Sequence, residues 1–156
     1  MTTIGHYMER DHRACEGQYV LAESHVMHHD WAGALREFGQ FRLQLERRMQ
    51  REEQVLFPHL DRTSGNAASP TSLMRGEHGY LRAVLELMDA AIVAGSGNDF
   101  FTHADTLYLL MRQHNLKEEN VVFPMADRLF DGQVTQLLAL MDCIGREPPA
   151  EATAPP

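Results

Sequence analysis

Histidine and glutamate, two side chains that bind metal ions, recur in this chain at a constant spacing. Residues 52–58 read Glu-Glu-x-x-x-Phe-Pro, and the same pattern returns at residues 118–124. Upstream of each copy stands a histidine, His12 in the first and His78 in the second. Because each copy spans two helix-length segments, the repeat predicts four helices built as two related pairs.

The same spacing predicts which chemistry these side chains perform. His114 and Glu118 are four residues apart, so they share one helix face, with Cβ atoms about 5 to 6 Å apart. An ionised carboxylate is costly to bury in an apolar core, so a cation is expected beside it. Imidazole together with carboxylate suits iron, manganese or zinc, whereas an iron–sulfur cluster would need thiolates at this level. The candidate metal ligands are His12, Glu52, His78, His114 and Glu118.

The apolar pattern predicts an all-α fold. Apolar residues recur at alternating steps of three and four, the period of a helix with one buried face. The predicted helices span residues 4–27, 31–60, 70–94, 99–129 and 133–144. Short connections favour an antiparallel up-down-up-down four-helix bundle followed by a short fifth helix. We expect one domain at residues 1–145 and a disordered, proline-rich tail at residues 146–156.

Local signals mark where the predicted helices begin. Asp30 can cap the second helix, and Ser69 followed by Pro70 provides a cap and a proline in the first turn of the third. Asn98 or Asp99 can cap the fourth. In an antiparallel bundle, residues early in helices one and three lie level with residues late in helices two and four. The candidate ligands are therefore expected in one polar layer inside an apolar bundle.

The composition argues against several classes of protein. The formal net charge is −8 and no lysine and arginine cluster stands out, so nucleic acid is not expected as a partner. Apolar runs are too short for a membrane span and a signal-peptide pattern is missing, so we expect no membrane association and a cytoplasmic location. Cys15 and Cys143 are too few for a disulfide framework. Neither a catalytic nucleophile arrangement nor a phosphate-binding glycine loop is visible.

Four segments of the chain together resemble a known family. They are Asp11-His12-Arg13, Glu52-Glu53-x-x-x-Phe57-Pro58, Glu77-His78 and His114-x-x-x-Glu118-Glu119-x-x-x-Phe123-Pro124. This pattern is similar to the hemerythrin-like, HHE cation-binding family over about residues 8 to 130. The resemblance implies that His12, His78 and His114 are terminal ligands. It also implies that Glu52 and Glu118 bridge two non-haem iron ions.

Arg48 departs from the family pattern, which has a histidine at this position, and arginine cannot ligate a metal. It can hydrogen-bond a bridging carboxylate, hold a bound anion, or turn toward Glu16, one turn after His12. Two divalent ions with the two carboxylates leave the layer at about +2 before Arg48 adds its charge, whereas one ion leaves it near zero. Three arrangements stay open: two ions with one weak site, one ion on the second half of the repeat, and a metal-free layer.

Three functions follow. The leading hypothesis is a binding or sensing protein that holds one or two non-haem ions, iron or alternatively manganese or zinc. It would bind a small ligand, dioxygen or nitric oxide, at the position that a histidine at 48 would fill. The second hypothesis is a di-iron redox enzyme or a factor that delivers iron to damaged metal centres. The third is a metal-free interaction module. A binding role is favoured over an enzymatic one, and no catalytic residue is assigned.

Other histidines and glutamates fit simpler roles. Glu53 and Glu119 repeat but fall off the buried stripe, so a solvated or ion-paired face is expected. Glu16 is placed beside the layer and can enter it only through its four-residue spacing from His12. Four histidines lie too far along their helices to reach the layer: His25, His28, His29 and His59.

Overall fold

A computed structural model describes residues 2–65 and 69–146 of the chain. All regular structure in this part is helical. The helices are α1 (Ile4–Met27), α2 (Trp31–Arg51), α3 (Phe57–Ser64), α4 (Thr71–Val93), α5 (Gly97–Lys117), α6 (Phe123–Leu129) and α7 (Val134–Asp142). A π-helical turn joins α2 to α3 (Glu52–Leu56), and a second joins α5 to α6 (Glu118–Val122). Four rods therefore form the bundle: α1, α2 with α3, α4, and α5 with α6.

The antiparallel, up-down-up-down order is confirmed by contacts between the rods. Arg42 in the middle of α2 binds Asp89 near the end of α4, and Glu53, beyond the end of α2, reaches His78 in the first half of α4. The first helix begins and ends where the sequence predicts. The second rod runs to Ser64 rather than residue 60, because its helix continues past Pro58. Of the predicted tail, only residue 146 lies within the described residues.

Of the predicted helix caps, the one for α2 is confirmed and the one for α5 is wrong. Asp30 caps α2 as predicted, its Oδ1 accepting from the Gly33 N–H over 3.0 Å. Ser96, rather than Asn98 or Asp99, caps α5, since its Oγ accepts from the Asp99 N–H and both predicted caps already lie inside the helix.

The start of α4 also differs from the prediction by one residue. Pro70 lies just before the helix instead of in its first turn. Ser69 Oγ accepts a hydrogen bond from the Thr71 N–H over 3.4 Å. The serine therefore still satisfies a backbone donor at the helix start.

Two apolar clusters fill the bundle, one on each side of a polar layer. The first includes Phe38 and Phe100, whose rings meet edge to face at 5.7 Å between centroids. The second includes Phe57 and Phe123, the aromatic residues of the two repeated Phe-Pro pairs. Burial of these clusters is the main favourable contribution to folding, and it isolates the layer between them from water.

The π turns have a local cause in the two prolines. Pro58 and Pro124 have no N–H to donate and their rings crowd the carbonyl one turn back, so a regular α-helix is disfavoured at these points. Instead, the N–H of the preceding residue bonds five residues back, Phe57 to the Glu52 carbonyl and Phe123 to the Glu118 carbonyl. Each glutamate of the candidate site therefore begins a widened turn, a feature often found at functional sites.

The short helix α7 covers the end of the bundle near the polar layer. Tyr7 donates its hydroxyl to Asp142 over 2.5 Å, and Arg51 donates its Nε to the Met141 carbonyl over 3.2 Å. Leu137 and Met141 are buried against the second apolar cluster. Within the described residues, none of the helices combines the length and apolar content that crossing a membrane requires.

The backbone conformation of Gly95, in the connection between α4 and α5, is testable by substitution. It has φ 66°, a left-handed conformation that costs other residues about 1 kcal/mol. We expect Gly95→Ala to lower the free energy of unfolding by about this amount in urea denaturation, although a Cβ there would meet only ordinary contacts with Trp31.

Gly79→Ala is the matched control. Gly79 lies on an exposed face of α4, and a Cβ there meets nothing within 4 Å. Alanine should raise the free energy of unfolding by about 0.5 to 1 kcal/mol, because it favours the helix. Shifts of the same sign in both variants would contradict the assigned conformation of Gly95.

Candidate metal centre

The polar layer contains all five predicted ligands together with Arg48. His12 is 8% exposed, and the other five are at most 1% exposed. The members are His12, Arg48, Glu52, His78, His114 and Glu118. All four rods of the bundle contribute, because α1 carries the first histidine, α4 the second, and the other two rods carry the remaining residues. The layer lies at one depth, as the antiparallel arrangement predicts.

Four of these residues converge on one point. Glu52, His78, His114 and Glu118 each offer a ligand atom, and these atoms lie within 4.8 Å of one another. His78 Nε2 lies 2.8 Å from Glu52 Oε2, and His114 Nε2 lies 2.7 Å from Glu118 Oε1. The two Nε2 atoms are 3.2 Å apart. This is the donor set, two imidazoles and two carboxylates, that first-row transition metals prefer.

His12 lies beside this group without joining it. Its Nε2 is 3.1 Å from Glu118 Oε2, the oxygen that faces away from the contact with His114. The four ligand atoms that lie within 4.8 Å of one another do not include His12, which contacts this group through Glu118. Its role as a ligand stays a prediction.

Arg48 is paired with the second carboxylate. Its Nη2 donates to Glu118 Oε2 over 2.9 Å and to Asn115 Oδ1 over 2.5 Å. Its Nε lies 3.9 Å from Glu52 Oε1. Of the three orientations that the sequence left open, the structure has the one in which Arg48 binds a carboxylate of the layer. It does not reach Glu16, which is exposed between α1 and α5.

The two buried carboxyls have opposite pKa shifts. Burial, and then the negative charge of Glu118, raises the pKa of Glu52 well above its usual value. Burial alone would raise the pKa of Glu118 too, but the Arg48 charge and hydrogen bonds from His114 and His12 hold it well below its usual value. Without an ion, these shifts favour the protonated form of Glu52 and the ionised form of Glu118.

Two further glutamates orient the imidazoles. His78 Nδ1 donates to Glu53 Oε1 over 2.7 Å, and His12 Nδ1 donates to Glu119 Oε1 over 3.1 Å. Hydrogen bonds of this kind fix the tautomer and ring orientation of metal-binding histidines. Burial also lowers the pKa of His78 to about 4, so its Nε2 lone pair points into the layer at neutral pH.

The sequence interpretation missed this role of Glu53 and Glu119. It expected a solvated or ion-paired face, which holds in part, since Arg82 Nη1 binds Glu53 Oε1 over 2.9 Å. The internal repeat already indicated this role. Both glutamates recur although they lie off the apolar stripe, so packing in the core does not explain their repetition. His114 Nδ1 has a more distant carboxylate partner, Glu77 Oε2 at 3.7 Å.

The donor set fits a cation. Both carboxylate oxygens of Glu52 and Oε1 of Glu118 are buried without a hydrogen-bond partner within the described residues. With Nδ1–H of His78 committed to Glu53, its Nε2 lone pair faces the Glu52 oxygen at 2.8 Å. Lone pairs on both atoms repel unless a proton or a metal ion lies between them.

Comparison with known proteins agrees with this geometry. Residues 3–126 match the model of the hemerythrin HHE cation binding domain, which covers most of the chain. The chain belongs to the hemerythrin family. Neither the curated proteins nor the solved structures that were compared with it gave a match. Membership of the hemerythrin family and the four converging ligand atoms both support cation binding, and the predicted all-α bundle is confirmed.

Three other histidines of this hemerythrin-family chain make local contacts. His25 Nδ1 lies 2.9 Å from Asp30 Oδ2, and His28 Nδ1 donates to the Ser24 carbonyl over 2.7 Å. Both lie at the α1–α2 turn. His59 Nδ1 donates to the Val55 carbonyl over 2.7 Å, one turn back in its own rod.

The orienting role of Glu53 is testable by metal affinity. We expect Glu53→Gln to weaken binding of zinc or ferrous ion by about tenfold or more, because His78 loses a charged hydrogen-bond acceptor. Competition titration with a chromophoric chelator measures the affinity. Glu46→Gln is the control, since Glu46 binds the same Arg82 without touching His78. Equal losses in both variants would mean that Glu53 acts only through the arginine.

Proposed function

We propose that this chain is a non-haem iron-binding protein that holds one ion and binds a small ligand there, dioxygen or nitric oxide. The observation that carries the proposal is the convergence of four buried ligand atoms within 4.8 Å. Glu52, His78, His114 and Glu118 would hold the ion. Manganese and zinc accept the same ligands, and the family resemblance favours iron.

Arg48 supports one ion rather than two. It is buried and bonded to Glu118, in the place where the family pattern has another ligand. One divalent ion with the two carboxylates and Arg48 gives the layer a charge of about +1, whereas two ions give about +3. So large an excess of positive charge is unfavourable in a site enclosed by apolar clusters.

Ligand binding follows from an incomplete donor set. Iron commonly takes more ligands than the four side chains supply, and the bound ion would provide a Lewis-acidic position for a small molecule. The chain excludes bulk water from this position with two apolar clusters. Arg48 Nε and Nη1 are buried without a hydrogen-bond partner among the described residues, so they are available to donate to a bound ligand.

A metal-free interaction module is the second candidate, and one observation favours it. The Arg48 charge already neutralises Glu118 over 2.9 Å. The Glu52 carboxyl then remains neutral through its raised pKa. The number of bound ions decides between the two functions.

Metal stoichiometry tests the proposal. Protein expressed in iron-supplemented medium should contain about one ion per chain by elemental analysis, and Arg48→His should raise this toward two by restoring a ligand. Arg42→His is the control, since Arg42 binds Asp89 outside the layer. A metal-free wild-type protein would favour the interaction module, and an unchanged content in Arg48→His would show that Arg48 does not limit the number of ions.

Nitric oxide tests ligand binding at the ion. Addition of the gas to the anaerobic ferrous protein should produce a visible charge-transfer band. His114→Ala should abolish the band together with most of the bound iron, because it removes one of four ligands. His59→Ala should leave both unchanged, since His59 contacts its own helix backbone outside the layer. An iron-loaded protein without any spectral response would contradict the proposed ligand binding.

A further inference from the structure

A cavity of about 550 Å³ opens between α1 and α5, next to the polar layer. Its inner wall is apolar and consists of Cys15, Tyr19, Phe41, Leu107 and Met111. Charged and polar side chains stand at its rim and at one end: His12, Glu16, Arg112, Asn115 and Glu119. This combination of an apolar wall and a few polar groups is typical of sites for small organic molecules.

The size of the cavity indicates a ligand larger than a diatomic gas. Pockets for small organic molecules commonly measure about 300 to 1,000 Å³, whereas a water molecule occupies about 30 Å³. The rings of Tyr19 and Phe41 lie 5.1 Å apart at 51° and form an aromatic wall. Such a wall suits an aromatic body, and it also attracts organic cations.

The internal repeat allows the seam that holds this cavity to be compared with the equivalent seam in the other half of the bundle. The seam between α2 and α4 is spanned by Arg82, whose guanidinium binds Glu46 and Glu53 over 2.9 to 3.1 Å. Sixty-six residues away in the repeat, the corresponding seam between α1 and α5 has Glu16 in the place of Arg82 and Arg112 in the place of Glu46. In the seam between α2 and α4, a cation binds two carboxylates. In the seam between α1 and α5, the equivalent three positions carry a carboxylate, a cation and a second carboxylate.

This exchange leaves the cavity with excess negative charge. Glu119 corresponds to Glu53, yet its carboxylate contacts only His12, and no ion pair joins it or Glu16 to an arginine or lysine in the part of the chain that the structure describes. Two carboxylates face one guanidinium, in a chain whose formal net charge is −8. A ligand cation would occupy the position that Arg82 takes in the other seam.

We infer that the cavity between α1 and α5 binds a small aromatic ammonium compound, with its ammonium group beside Glu119 and Glu16 and its ring against Tyr19 and Phe41. The site is distinct from the four converging ligand atoms and does not depend on an ion there. It is nevertheless adjacent to the layer, because His12 and Asn115 line the cavity and contact Glu118 and Arg48 respectively.

Three indole compounds of matched shape test the charge preference by isothermal titration calorimetry. Tryptamine carries an ammonium group, tryptophol a hydroxyl and indolepropionate a carboxylate. We expect tryptamine to bind about fivefold more tightly than tryptophol, the effect of one partly exposed ion pair, and indolepropionate to bind more weakly than both. Methyl resonances of Val20 and Met111, which line the cavity, should shift in NMR spectra on addition of tryptamine.

Substitution of Glu16 tests the location. Glu16→Arg copies the other seam, so its guanidinium should bind Glu119 and weaken tryptamine binding at least about tenfold. Glu16→Gln removes the charge without adding bulk and should weaken binding about threefold. Glu86→Arg changes the net charge equally on an exposed face of α4 outside the cavity, and should alter the affinity less than about twofold.

Several results would overturn the inference: no tryptamine binding, equal affinity for tryptamine and tryptophol, or unchanged affinity in both Glu16 variants. Metal content is measured on the same samples, because none of these substitutions removes a candidate ligand. A protein with its ion but without tryptamine binding would end this inference and leave the proposed function intact. Tryptamine binding by a metal-free protein would support this inference and contradict the proposed function.

Discussion

Two carboxyl groups, Glu52 and Glu118, are buried side by side between apolar clusters, and the surrounding structure compensates their charge. An ionised carboxylate costs several kcal/mol to bury without a partner, and two of them also repel. Arg48 neutralises one, while the other has both oxygens unpartnered among the described residues. His78 brings a lone pair rather than a proton to this place, since its Nδ1–H group is directed to Glu53. This is why the layer is suited to a cation.

The repeated Phe-Pro pair explains how the layer is positioned. Each proline prevents regular α-helical bonding one turn back, and the backbone responds with a π turn that begins at the buried glutamate. The phenylalanine before the proline enters the apolar cluster below the layer. One short motif therefore sets the local backbone, anchors it in the core and presents the carboxylate, and it does so twice in the same chain.

Much of this arrangement could be predicted from the sequence, for identifiable reasons. Helix existence and the depth of His12, His78 and His114 follow from apolar periodicity and antiparallel packing, which depend on spacing alone. The π turns and the Ser96 cap were not predicted, because they depend on which of several nearby donors and acceptors pair. The orientation of Arg48 was open for the same reason. Its long side chain could reach several acceptors, and packing around it selected Glu118.

The two seams differ although both halves of the chain carry the same repeated motif. Exchange of an arginine for a glutamate between equivalent positions, Arg82 and Glu16, leaves the helix backbones antiparallel and the buried ligands at the same depth. The outer contacts of one copy therefore differ from those of the other while the buried layer keeps its geometry. A domain built from two such halves tolerates change on one side of its centre, because the halves share the core but not their outer contacts.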